Sequence, residues 1–439
     1  MKFTLPARIF TGMIAGIAGG IILQQCNLSA ETLALVTSWV KPVGDIFLRM
    51  IFMMVIPLIL SALTLGIAEL GDLKKIGRLG IKMLLYTVIV SSISVAIGVG
   101  SVTVFQPGKN LSGSDRAFLI EKYASQSDNI LKNVGIAKER TIGEIITTIV
   151  PKNPIEDMTY AFNPEYRGGG LLSVMFFALV LGIALSAVDR EKTKVFRSFL
   201  EGVYEITMKV ISYGMKLAPF GVGALLFILT LNLGLSIIKV MLGYVLVVVS
   251  ALAVHQFVTY SVILRYFAKV SPLSFFKGIS EAMVTAFSTS SSNATLPTSI
   301  KVTIENLKIP KEIAHFVLTI GSTANQNGTA LYEGVTVLFL AQCFGIDLDI
   351  TRQVIVVLIC ILAGVGTAGV PGGSLPVIML ILISIGIPGE SIALIYGVDR
   401  ILDMCRTTLN VTGDIVAAVY INRSEVKRGT LEESKVSNP

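Results

Sequence analysis

Residues 399–414 read Asp399-Arg-Ile-Leu-Asp-Met-Cys-Arg-Thr-Thr-Leu-Asn-Val-Thr-Gly-Asp414, inside an apolar run from Ser391 to Tyr420. Asp399, Asp403, Arg406, Asn410 and Asp414 fall at offsets 0, 4, 7, 11 and 15. At ~100° per residue they project at about 0, 40, −20, 20 and 60°, a single stripe of one helix. The run is long enough to cross a hydrocarbon core, which needs ~20 helical residues. An unpaired charge at that depth costs at least ~2.5 to 3.5 kcal/mol, so the stripe must face a cavity, a ligand or its own opposite charges. An ion-pair ladder among Asp399, Asp403 and Arg406 is the structural alternative, although Asn410 and Asp414 continue the stripe where no further basic residue follows.

The rest of the chain agrees with a membrane setting. Of 439 residues, 53% are hydrophobic and 15% charged, against roughly 25% charged in an average soluble domain. Mean hydropathy is +0.76, and 40 Gly and 14 Met suit helices that pack closely in lipid. These values exclude a disordered chain, a disulfide-stapled secreted module and an ordinary cytosolic enzyme. The net charge of +7 is no sign of nucleic acid, because the basic residues sit in short clusters between apolar runs. Cys26, Cys343, Cys360 and Cys405 stand singly in apolar stretches, and His255 and His315 are the only histidines. A His-based metal site or a Ser-His-Asp triad therefore has almost nothing to draw on.

The first apolar run, Ile9 to Leu23, lacks a small-x-small cleavage site and reads as an uncleaved first helix. Further runs lie at about Val40–Leu65, Ile81–Phe105, Ile145–Ala187, Val195–Leu217, Ile237–Leu264, Ile313–Phe344 and Ser391–Tyr420. Pro151, Pro154, Pro164 and Gly168 to Gly170 should break the fourth into pieces. Lys74, Lys75, Arg78 and Lys82, then Arg190, Lys192, Lys194 and Arg197, mark cytoplasmic loops, and the basic tail after Tyr420 joins them. Eight crossings with both termini in the cytoplasm fit. The polar segment from Gln106 to Glu139 reads as an external loop with little fixed structure.

Two segments refuse this pattern. Val270–Val302 is split by a polar tip, Ser288 to Asn293, and Val354–Ile387 by the Gly-rich tip Gly364 to Gly373. No half of either is long enough to span. They read as re-entrant hairpins, tolerated at membrane depth where protein or a water-filled cavity receives the backbone, or else as two long kinked helices. Each is followed by a full helix carrying polar residues, the order expected of an internal repeat around a central site.

In the helix after the first hairpin, Gly321-Ser-Thr-Ala-Asn-Gln-Asn-Gly-Thr329 is a poor helix and a good break. It exposes carbonyls to a cation and N–H groups to an anion. Glu333 lies eight residues after Asn325 and four after Thr329 on the same face. It is a candidate proton carrier, or equally a carboxyl neutralised by hydrogen bonds. Ser290 to Ser292 offer hydroxyls and a helix N-terminus that favours an anion. Arg406 suits a ligand carboxylate and Asp403, one turn earlier, an ammonium.

At these residues the sequence resembles the glutamate transporter family, the dicarboxylate/amino acid:cation symporters. Four motifs carry the resemblance: Ser290-Ser-Ser-Asn-Ala-Thr-Leu-Pro297, Asn325-Gln-Asn-Gly-Thr-Ala-Leu-Tyr332, Gly366-Thr-Ala-Gly-Val-Pro-Gly372 and Asp399 to Asp414. It implies an all-α polytopic membrane protein with eight transmembrane helices, two re-entrant helical hairpins (about 270–305 and 351–388) and inverted repeats. It implies a homotrimer in the cytoplasmic membrane. Residues 1–76 and 107–225 would form a trimerisation scaffold, 77–106 and 226–423 an elevator-like transport domain, and 424–439 a cytoplasmic tail. Arg406 would hold the side-chain carboxylate of L-glutamate or L-aspartate and Asp403 its amino group. Ser290, Ser292, Gln326, Thr329, Gly369, Val370, Thr407 and Asn410 would complete the pocket, with the second hairpin as gate.

The departures concern the ions. Gln326 and Asn327 stand where sodium-coupled members have Met and Asp, and Thr87 and Val90 where they have Tyr and Thr, while Ser91 is retained. A hard cation loses a charged oxygen there, so the site at Asn327 is expected to be lost. Gly321, Asn325, Asn410 and Asp414 match another sodium site, and Thr323 with Thr367 a second. Glu333 matches the glutamate that resembles a proton carrier in proton-linked members. Proton-coupled uptake is the resulting expectation, with sodium coupling and a C4-dicarboxylate substrate as alternatives, and with no cofactor. Asn293, where Ser is common, and Cys405 before the Arg remove no charge. A channel would need a continuous pore lining, and an enzyme a nucleophile with its base; neither set is visible.

Overall fold

The computed structural model describes residues 5–26, 29–72, 78–122, 147, 150–161, 166, 171–366 and 374–426. Thr367, Gly369 and Val370 lie outside the described residues, as does the tail from 427. All regular structure among the described residues is helical.

The chain opens with α1 (Leu5–Gln25), α2 (Ala30–Phe52), α3 (Val55–Asp72) and α4 (Arg78–Phe105). The apolar run Val40–Leu65, read from sequence as one crossing, is therefore divided between α2 and α3 by a turn at Met53 and Met54. Pro57 has no N–H to give Met53, and helical bonding resumes only with Leu58 N–H to the Met54 carbonyl at 3.0 Å. Next come α5 (Gly113–Lys122), α6 (Pro154–Thr159) and α7 (Leu171–Ala187). Within the run Ile145–Ala187, α6 starts at Pro154 as a break there requires, while Pro164 and Gly168 to Gly170 lie outside the described residues. The loop expected to lack fixed structure contains α5, ten residues long.

The next helix, α8 (Arg190–Leu233), has 44 residues, about 66 Å at ~1.5 Å per residue. The apolar run predicted only Val195–Leu217. Pro219, two residues beyond that run, is carried inside the helix. The α1 helix lies along α8 through small residues. A Cβ built on Gly12 would stand 2.0 Å from the Pro219 carbonyl oxygen, and one on Gly16 would stand 2.2 Å from that of Gly223. The four-residue spacing of these glycines lets two backbones touch, the usual means of helix association where lipid removes the hydrophobic drive.

After α9 (Leu235–Val254) the chain continues in π-helical register over His255–Thr259 and Ile263–Ala268, with Tyr260–Val262 between. The first hairpin follows as α10 (Pro272–Gly278), α11 (Ser280–Thr289) and α12 (Ser292–Glu305). The chain reverses at Ser290, whose φ of 51° is left-handed, and extended Ser291 caps α12 by accepting from Ala294 N–H at 3.2 Å. Then come α13 (Lys311–Ala324), α14 (Asn327–Cys343), α15 (Ile350–Gly366), α16 (Leu375–Ser384) and α17 (Tyr396–Val426). Helices α13 and α14 are the two parts of the run Ile313–Phe344, broken at Asn325 and Gln326 as the amide-rich sequence requires.

Four stretches among the described residues are long and apolar enough to cross a membrane: Ala7–Gln25, Arg78–Asn110, Arg190–Leu233 and Ile237–Ala268. Shorter apolar helices are Ile56–Ala68, Ser173–Ala187 and Ile350–Ile361. The molecule is an all-helical polytopic membrane protein. Its centre is α14, buried from Asn327 to Ala341 and packed against α4, α15 and α17, while the first hairpin lies on α17.

Candidate functional site

The stripe predicted on the last helix is buried along its length: Asp399, Asp403, Arg406, Asn410 and Asp414 are all at most 5% exposed. Its charges meet one another. Arg406 donates from Nε to Asp403 Oδ1 at 2.9 Å, Nη2 lies 2.9 Å from the same oxygen, and Nη1 lies 3.7 Å from Asp399 Oδ1. The ion-pair ladder is therefore present. Two further groups hold Arg406: Nη1 donates to the Ser374 hydroxyl, just before α16, and the guanidinium carbon stands 4.6 Å over the Tyr332 ring. The Tyr332 hydroxyl donates to Asp399 Oδ1 at 2.7 Å. The Tyr332 ring, two nitrogens converging on one Asp403 oxygen and burial together hold the guanidinium of Arg406 in place, the group whose planar fork is best suited to pairing with a carboxylate.

One turn further along, Asn410 joins the last helix to the break between α13 and α14. Its Oδ1 accepts from Gly328 N–H at 2.7 Å, and its Nδ2 donates to Gln326 Oε1 and, at 3.0 Å, to Thr329 Oγ1. Gln326 in turn donates to the Ser322 carbonyl at 2.9 Å. Another turn on, Asn325 Nδ2 donates to Asp414 Oδ1 at 2.9 Å, and a Cβ on Gly321 would stand 2.5 Å from that oxygen. The structure thus gathers Gly321, Asn325, Gln326, Thr329, Asp403, Arg406, Asn410 and Asp414 around one break, with buried Thr407 on the same helix. Asn325 Oδ1, buried and without a hydrogen-bond partner among the described residues, is an acceptor available to a cation. The Thr323 hydroxyl bonds back to the Thr319 carbonyl of its own helix at 3.4 Å.

Asn327 is satisfied at both ends as an amide. Its Oδ1 accepts from Ser91 of α4 at 2.6 Å, its Nδ2 donates to the Tyr260 hydroxyl at 3.2 Å, and its carbonyl accepts from Ser94 at 2.8 Å. Tyr260 passes its own proton to the Leu409 carbonyl at 3.2 Å. Thr87 and Val90 are buried on α4 beside Ser91. Glu333, two turns into α14, is fully buried, and neither carboxyl oxygen has a hydrogen-bond partner among the described residues. At the first hairpin, the hydroxyls of Ser290 and Ser292 are buried and likewise without partners among the described residues. Such groups are costly in a closed protein unless they meet something that comes and goes.

Sequence reasoning missed Tyr332, Ser374, Tyr260 and Arg400. Each had a faint signal: Tyr332 precedes Glu333, Ser374 closes the Gly-rich tip, and Arg400 adjoins Asp399. Tyr260 alone had none, because its reach to Asn327 depends on the π-helical register.

The chain matches the sodium:dicarboxylate symporter family over residues 5–424. It is 34% identical over 429 residues to a proton/sodium-glutamate symport protein of Geobacillus stearothermophilus, covering 97% of this chain and 95% of that one. A protein of the same description in Bacillus subtilis (strain 168) is 35% identical over 431 residues, with 97% and 94% covered. A proton/glutamate-aspartate symporter of Escherichia coli (strain K12) is 34% identical over 432 residues, with 97% and 94% covered.

Proposed function

Because the chain belongs to the sodium:dicarboxylate symporter family, we propose that it is a secondary active symporter that takes up L-glutamate or L-aspartate, coupled to protons. The observation that carries this reading is Arg406, buried in an apolar protein with its fork presented beside Asp403 and a hydroxyl of the second hairpin. A ligand with a carboxylate at one end and an amino-acid head at the other satisfies both charges. Thr329, Thr407 and Asn410 supply further polar atoms, Ser290 and Ser292 hydroxyls from the first hairpin, and Gly369 and Val370 backbone from the second. The names of the relatives, which pair glutamate or aspartate with protons or sodium, support the same substrate class.

Coupling to protons is supported by two features. Asn327 finds a neutral partner for each end of its amide, which leaves no carboxylate for a cation there. Glu333 is a buried carboxyl whose oxygens have no hydrogen-bond partner among the described residues, the setting of a group that carries a proton rather than a fixed charge. Sodium coupling is the second reading, favoured by the Gly321, Asn325 and Asp414 cluster.

In the membrane we read eight crossings and two re-entrant hairpins, with both termini in the cytoplasm and three copies per assembly. Residues 77–106 and 226–423 would move as a transport domain against a scaffold of 1–76 and 107–225. The break at Asn325, the helical hairpins and the dense packing around α14 support a compact moving part. The deciding experiment is uptake of radiolabelled L-aspartate and L-glutamate into proteoliposomes with proton and sodium gradients imposed separately. Accumulation driven by an inward proton gradient in sodium-free buffer is expected. Accumulation only with sodium would transfer the coupling to the Asn325 and Asp414 cluster, and no accumulation of either amino acid would overturn the substrate assignment.

A further inference from the structure

Arg400 takes no part in the site as drawn from the sequence, yet it faces its most exacting group. Of the two Asp403 oxygens, Oδ1 is held by Arg406 at 2.9 Å, while Oδ2 meets Arg400 Nη1 at 3.4 Å. The first distance is that of a charge-assisted bond and the second is well beyond it. The Arg400 side chain is 12% exposed, against 4% for that of Asp403. Its Nε is buried and has no partner among the described residues. A guanidinium so nearly desolvated yet so loosely engaged is poorly repaid for leaving water. Asp399, Arg400, Asp403 and Arg406 sum to no net charge within two turns of one helix.

We infer that Arg400 is a specificity-determining residue, the counter-ion of Asp403 that gives way to the amino group of the substrate. This rests on the proposed placement of that amino group at Asp403. An ammonium entering at Oδ2 exchanges one cation for another and keeps Asp403 paired, while Arg400, the more exposed partner, swings aside. A dicarboxylate of the same length with no amino group leaves the Arg400–Asp403 pair intact and still offers a carboxylate to Arg406. Arg400 therefore taxes the amino acid and tolerates the plain dicarboxylate, narrowing the difference between them. Without its charge the cluster carries a net −1. The ammonium then reaches Oδ2 of Asp403 without displacing Arg400, and the dianion is repelled.

The test is inhibition of radiolabelled L-aspartate uptake into proteoliposomes by unlabelled L-aspartate and by succinate, in the parent and in two variants. Arg400→Gln should raise the ratio of the succinate to the aspartate inhibition constant by about tenfold, the scale of one partly buried ion pair. Arg400→Lys, which keeps the charge, should leave that ratio within about twofold. Equal movement of both constants in Arg400→Gln would reduce Arg400 to a packing role and overturn the inference. So would a tenfold change of the ratio in Arg400→Lys, a criterion that needs no Gln variant and therefore stands if Arg400→Gln does not fold. Arg406→Ala separates the two levels of argument: if it binds L-aspartate as well as the parent does, the substrate site is misplaced and the failure belongs there.

Discussion

Asn327 shows how far one atom reaches. Its Nδ2 is a donor to Tyr260 and its Oδ1 an acceptor from Ser91; replacing the amide by a carboxylate turns the donor into a second, charged acceptor. Ser91 can still donate to it, but Tyr260 could do so only by releasing the Leu409 carbonyl, and the charge remains in a buried place and requires a counter-ion. Asn327→Asp is therefore expected to lose several kcal/mol of stability in sodium-free detergent, about the cost of a buried unpaired carboxylate. Sodium should restore much of it, read as a rise in melting temperature over a choline control. A loss that sodium does not reverse would mean that Thr87 and Val90 had removed the site as well. For Glu333→Gln, which keeps the shape and removes the titrating proton, net uptake should lose its pH dependence while exchange of internal for external substrate persists. An unchanged pH profile would rule Glu333 out as carrier. The stripe holding Arg406 was legible because helical geometry fixes the direction of every side chain from residue numbers alone. The grip of Ser374 and Tyr332 on Arg406 was not, because it joins elements whose juxtaposition no local spacing records.

At the scale of elements, the contact between α1 and α8 is set by what is missing. Gly12 and Gly16 bring the first helix against carbonyl oxygens of Pro219 and Gly223, so a side chain must push the backbones apart. Gly16→Leu should cost ~3 kcal/mol or more, the upper range for overpacking, seen as a drop in the melting temperature of purified protein with the substrate affinity of the surviving fraction unchanged. A neutral Gly16→Leu would show that the two helices do not meet in the membrane. The breaks in the chain were read with uneven success. Asn325 and Gln326 announced theirs through composition, since amides and glycine form poor helix at any depth. Pro57 and Pro219 are the same residue type with opposite outcomes: one begins a helix and the other is carried within 44 residues of one. Which happens depends on the neighbours that receive the freed carbonyl, and these come from elsewhere in the chain.

For the whole molecule, the long helix α8 carries a seam that its own fold does not cover. Phe199, Ile206, Tyr213 and Phe220 recur every seven residues and are 62%, 68%, 48% and 70% exposed. Glu201, Glu205, Lys209 and Lys216 run beside them, also exposed. A face meant for lipid alone would not be edged with charges, whereas a seven-residue apolar seam with charged flanks suits a helix of another copy. Ile206→Glu is expected to lower the mass of the detergent-solubilised particle from that of the proposed three-chain assembly towards that of one chain, measured by light scattering with the detergent contribution subtracted. A trimer that survives this change would place the interface on another face.

Asn410 ties the last helix to the break between α13 and α14 with one side chain. Its single carboxamide is engaged at both ends, holding Gly328, Gln326 and Thr329 of the break against the last helix. It stands one turn from Arg406 on one side and one turn from Asp414 on the other. A ligand at Arg406 and a cation at Asp414 would therefore both strain or relieve the same few bonds. Two ligands that bias one shared equilibrium are linked by a single coupling free energy, so each must change the affinity of the other by the same factor. Stoichiometric symport requires such reciprocity, and here an amide side chain is the part of the molecule through which it would pass.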